Sequence, residues 1–253
     1  MRQPFTSCER FPHPKCFSDP AYDFEGVEAE LQAIVAKPLP AVTAHDLFYA
    51  FNSYLPAGTC EEMAFYVPRA FKLLREDSVE YGIRSELMEC LVIWVHVEWQ
   101  ALQAYPEFLQ DIRTSCEALF EEWTADTHVP ADMEDRCLCL ESLLYPAFGS
   151  FLEADSHYPR IPWLRPEYHL AKLLPADSLP RAAWLLWVYH WLEEDCCSMK
   201  RAHWEFFHLP KAELHRAADM LDDWLLTSAT PQESEFWEPI ATACRTHLSY
   251  SPC

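Results

Sequence analysis

The sequence predicts an all-α protein, a helical bundle or HEAT-like stack of about nine or ten helices. Three observations predict it. Apolar residues recur at helical spacing along most of the chain, and no sustained apolar–polar alternation marks a strand. Glycine is scarce: Gly26, Gly58, Gly82 and Gly149 are the four in 253 residues, too few for the tight turns of an all-β fold. Helix starts are also written into the chain. Thr59-Cys60-Glu61-Glu62 and Thr230-Pro231-Gln232-Glu233 are capping boxes, in which the threonine accepts from first-turn amides and the glutamate reaches back.

Taken in order, residues 1–20 carry prolines at 4, 12, 14 and 20 and read as an irregular arm. Pro20 opens a helix over 20–37 with a stripe of Val27, Leu31, Ile34 and Val35, ended by Pro38 and Pro40. Thr43 caps the next, whose face carries Leu47, Phe48, Phe51 and Leu55. From the capping box at Thr59 a helix runs to Glu76, kinked by Pro68, which removes an amide. Two long helices follow: Arg84–Tyr105 with Leu87, Leu91, Trp94, Val95 and Leu102, and Pro106–Thr124 with Phe108, Ile112, Leu119, Phe120 and Trp123. Pro130 starts another, holding Leu138, Leu140, Leu143 and Leu144. After a short helix comes a proline-rich connector, 158–166. Helices are then expected over 166–174, 178–195, 198–208, 210–227 and 231–248. The connector divides the chain into the arm at 1–20, a sub-bundle at 21–157 and another at 158–253, which could equally form one continuous domain.

An internal echo is present. LFEEWTADTHVP (119–130) and MLDDWLLTSATP (220–231) share two acids, then tryptophan, then proline seven residues later. IWVHVEW (93–99) echoes LWVYHW (186–191) at a different offset. A duplicated helical hairpin and chance similarity between two amphipathic hairpins both account for this.

Composition narrows the function. Asp and Glu number 40 against 19 Lys and Arg, a formal charge of −21, which repels nucleic acid and anionic membrane and suits a basic partner or simply solubility. The glycine shortage argues against phosphate-cradling loops. No N-terminal leader pattern and no apolar run of membrane-spanning length is found, so a cytoplasmic location is expected, with the eleven cysteines mostly reduced.

The densest aromatic run is RAAWLLWVYHWLEEDCCSMKRAHWEFFH, residues 181–208. Trp184, Trp187 and Trp191 share one helix face and Leu185, Val188 and Leu192 the next, the pattern of a buried central helix. His190 reads as a core histidine; only a turn folding Cys197 and His203 back on it would gather metal ligands. Glu205-Phe-Phe-His208 is a lone Glu-x-x-His, whereas di-iron bundles need two such pairs. Neither Cys137/Cys139 nor Cys196/Cys197 has zinc-knuckle spacing. Cys60, at a helix start, reads as a passive position although a helix dipole lowers a thiol pKa. No metal or other cofactor is expected.

The acids are the stronger signal. Glu121, Glu122 and Asp126 end one long helix, Asp132, Glu134 and Asp135 start the next, and Asp222 and Asp223 sit at the echoed position beside Asp219. Acids in a first turn favour the helix dipole; acids near a C-terminus oppose it. Glu121, Glu122, Asp222 and Asp223 are therefore the least explained by folding. These eight residues, Asp219 aside, form the candidate partner-binding set.

NSYLPAGTCEEMAFYVPRAFKLLRE (52–76), then IWVHVEW and ALFEEW, resembles acidic, tryptophan-rich helical bacterial proteins that neighbour secreted toxins, the immunity proteins of contact-dependent, type VI and other polymorphic toxin systems. The resemblance spans 43–130 and carries no invariant motif. It implies a non-enzymatic protein that binds and blocks a cognate toxin, here a basic, nuclease-like domain met by the acidic surface. Two other readings stand beside it: a helical repeat scaffold for an endogenous partner, and a metal-dependent helical enzyme built on His190, His203, Glu205 and His208.

Overall fold

A computed structural model describes residue 5 and residues 11–18, 27–51, 57–76, 79–80, 82–144, 161–164, 166–194 and 210–250. The chain is all-α, with no strand among these residues. The helices are α1 (Val27–Val35), α2 (Ala44–Phe51), α3 (Cys60–Ala64), α4 (Val67–Leu73), α5 (Ile83–Val97), α6 (Trp99–Leu102), α7 (Pro106–Trp123), α8 (Met133–Leu144), α9 (Pro166–Leu173), α10 (Leu179–Glu194), α11 (Lys211–Thr227) and α12 (Pro231–Tyr250). Short 3-10 turns occupy Leu39–Ala41 and Pro162–Leu164. The helix expected over 198–208, the proline-rich stretch 158–160, and Leu55 lie outside the described residues. No helix among the described residues is long and apolar enough to cross a membrane.

Two compact units are formed. The first comprises Met1–Leu119 and Glu134–Leu164, the second Phe120–Met133 and Arg165–Cys253. The crossing at 164/165 falls within the expected connector, while 120–133, which the sequence reading groups with the first sub-bundle, belongs to the second unit.

In the first unit α5 is the central helix, packed on α2, α4 and α6. Leu87, Met88 and every residue from Cys90 to Val95 are buried, as an apolar surface extending most of the way round a helix demands. Gly82 starts it at φ +83°, with nothing near the space a Cβ would take, so the left-handed backbone and not crowding asks for glycine. The expected helix 84–105 is broken. At Glu98 the backbone leaves helical values (φ −90°, ψ 9°) and α6 starts anew. The expected kink at Pro68 is a full interruption. With no proline N–H to reach the Ala64 carbonyl, α3 ends and Pro68 enters the first turn of α4, where an amide has no intrahelical partner to lose.

In the second unit α10, α11 and α12 pack against one another, with α9 on α10. Ala182 to Val188 are all buried. Trp184 stands perpendicular to Trp237 of α12, with ring centroids 5.3 Å apart. Trp187 is 6 % exposed, as the buried-helix pattern predicts. Trp191 is only half-buried: one turn farther along, it lies stacked on Trp187 at 6.1 Å.

Leu138 is exposed where Leu140, Leu143 and Leu144 are buried. Two residues are about 200° of helix, so Leu138 cannot share the face of Leu140. The echoed segments differ in structure. Trp123 ends α7 and is buried, whereas Trp224 is half-buried and α11 continues to Thr227. IWVHVEW straddles the break at Glu98, whereas LWVYHW lies inside α10.

Candidate partner-binding surface

The acids near the end of α7 belong to a segment fastened from behind. Thr124 Oγ1 donates to the Phe120 carbonyl at 2.7 Å, closing the helix. Beyond it, Trp184 Nε1 donates to the Asp126 carbonyl at 2.8 Å and Trp237 Nε1 to the Thr127 carbonyl at 2.8 Å. Gln232 Nε2 donates to the Val129 carbonyl at 3.1 Å. A buried tryptophan needs an acceptor for its N–H, and an irregular segment needs donors for its carbonyls; each satisfies the other. The backbone of 126–129 is thereby fixed to α10 and α12 while the Asp126 side chain stays exposed, accepting from His128 N at 3.1 Å.

Glu121 and Glu122 are exposed. Glu121 meets Lys172 of α9 at 2.9 Å. The Thr230 capping box forms: Thr230 N donates to Glu233 Oε2 at 2.8 Å and Glu233 N to Thr230 Oγ1 at 3.3 Å. These bonds, above all the one from the Thr230 amide, hold the Glu233 carboxyl below the usual glutamate range. His128 Nδ1 lies 3.9 Å from Glu233 Oε1, an ion pair when the imidazole is protonated.

On α11 the acids separate by face. Asp222 accepts from Arg245 Nε of α12 at 2.9 Å, and Asp219 from Arg245 Nη2 at 2.7 Å. Arg245 is the sole Lys or Arg in α12, so the sequence did contain a signal for this partner. Asp219 nevertheless remains 72 % exposed. Asp223 is exposed and has no ion pair among the described residues. Leu226, three residues on and so on the same face, is 86 % exposed. Arg216, Asp219, Asp223 and Leu226 make one outward stripe, charged along its length and apolar at its end.

Asp135 is corrected. It is not a surface residue: it is 2 % exposed, and its Oδ2 lies 3.4 Å from Nε of the buried Arg84. Its Oδ1 accepts from Gly82 N at 3.1 Å. This carboxylate braces the start of α5 inside the first unit. Glu134, also in the first unit, is exposed; Asp132, in the second, is half-buried. The candidate set is thus divided between the two units, and Glu121, Glu122, Asp126, Asp132, Asp222 and Asp223 share the second.

A cleft in the first unit has no counterpart in the sequence reading. About 270 Å³ in volume, it is lined by Thr43, His45, Arg69, Glu76, Glu80 and Ile83 among others. Arg69 is held there by the Val42 carbonyl at 2.9 Å and Glu76 at 2.8 Å, leaving a mixed-charge wall with no nucleophile–base pair among its lining residues. Burial, with Glu98 and Glu61 nearby, pushes the Cys60 thiol up to about 12, and burial does the same to Cys116. Among the described residues no group of three or more His, Cys, Asp or Glu could hold a metal ion. Cys196, Cys197, His203, Glu205 and His208 lie outside the described residues.

Comparison with known proteins returns no match from family models, curated sequences or solved structures.

Proposed function

We propose that this chain is a non-enzymatic binding protein that blocks a basic, nuclease-like toxin domain, as an immunity protein does, using the second unit's acidic surface. The observation that carries the reading is the stripe of Asp219, Asp223 and Leu226 on α11, where exposed carboxylates run up to an 86 % exposed leucine. Isolated exposed leucines are common, but an apolar residue next to the exposed Asp223, at the end of a stripe that also carries Arg216 and Asp219, suits an anchor within a steered contact. Glu121, Glu122 and Asp126 add exposed acids in the same unit. A nuclease groove is basic because it must hold phosphates, so carboxylates compete for it and accelerate encounter.

The test is to express the product of an adjacent toxin-like reading frame with the wild-type chain or with E121K/E122K/D126K/D223K, and to count survivors. Wild type is expected to protect. The variant is expected to associate at least about tenfold more slowly at low salt, since steering is lost. No protection and no complex with wild type defeats the reading. Full protection by the folded variant leaves immunity standing and moves the contact to another face.

A further inference from the structure

We draw no further inference here: the strongest candidate, the cleft of the first unit lined by the start of α2, by Arg69 and Leu73 of α4 and by the residues leading into α5, carries nothing, because Arg69 is already bound to the Val42 carbonyl and Glu76 and nothing in the structure shows what the cleft would hold.

Discussion

The first turn of α8 and the last turns of α11 carry the same kind of acidic pair, Glu134-Asp135 and Asp222-Asp223. In α8 one acid is exposed, and the other is 2 % exposed against Arg84 and the Gly82 amide. In α11 one acid is bound to Arg245 and the other is exposed without an ion pair among the described residues. Adjacent residues project about 100° apart on a helix, so each pair divides between two environments. What lies on the inner side decides the rest. In α8 it is a buried guanidinium, which makes the carboxylate part of the fold; in α11 it is a surface arginine, which leaves the helix edge available. Acidic runs of equal appearance therefore differ by several kcal/mol in what their loss would cost.

The largest effect tests the buried side of that contrast. Asp135→Ala leaves Arg84 buried without its carboxylate, and breaking such a pair costs about 3–5 kcal/mol. The measurement is denaturant unfolding, and replacing Arg84 and Asp135 together by apolar residues is expected to recover much of the loss. A D135A chain as stable as wild type would show that the two acidic runs do not differ.

Next is the fastening behind Asp126. Trp184→Phe keeps most of the ring but removes the N–H that meets the Asp126 carbonyl, with an expected loss of about 1–2 kcal/mol. Trp237→Phe acts likewise on Thr127. Amide exchange over 126–129 should speed up in both variants, since the segment depends on these two indoles.

The helix caps come third. Thr230→Ala is expected to cost about 1 kcal/mol. The Glu233 carboxyl is held below its ordinary value of 4.5, so the cap's contribution is complete above that value and is lost as pH falls through the lower folded value. Glu62 has the same sign: burial raises it, but hydrogen bonds from Ser18 and Thr59 outweigh burial and hold it low. Acid titration of wild type and Glu233→Gln should therefore converge below the glutamate range, since only the ionised carboxylate carries this part of the cap. A difference that persists there would remove the cap as its cause.

The smallest effect on stability belongs to the exposed side of the contrast. Asp223→Lys is expected to change unfolding free energy by less than about 0.5 kcal/mol. Its effect should be on association with a basic partner, and should fade as salt screens it. Destabilisation beyond that limit would mean that Asp223, like Asp135, serves the fold.

Much of the architecture was legible in the chain. Both capping boxes form, the stripe of α1 is buried at Val27, Leu31, Ile34 and Val35, and α10 is buried from Ala182 to Val188, Trp184 and Trp187 included. Where the reading failed for Asp135, the missing information was a distant partner, Arg84. Nothing in the heptapeptide IWVHVEW announces that the helix stops at Glu98.

Of the candidate site, sequence supplied the acidic residues but not their fates, and it passed over Leu226 and the stripe that ends there. The arm read as irregular from its prolines, and nothing local showed that Phe11 would meet Tyr105 and Phe108 or that Phe17 would meet Tyr66.

Sequence by itself determined the class of this protein, most helix starts and ends, and the strong negative charge, because caps, periodicity and proline act within a few residues of where they stand. Tertiary structure alone decided which carboxylates are bound and which are exposed, and what the arm covers. Those outcomes depend on residues distant along the chain: Arg84 for Asp135, Arg245 for Asp222, Glu62 for Ser18. A carboxylate's environment is set by the nearest charge and by access to water, and both are properties of the packed chain rather than of any stretch of it.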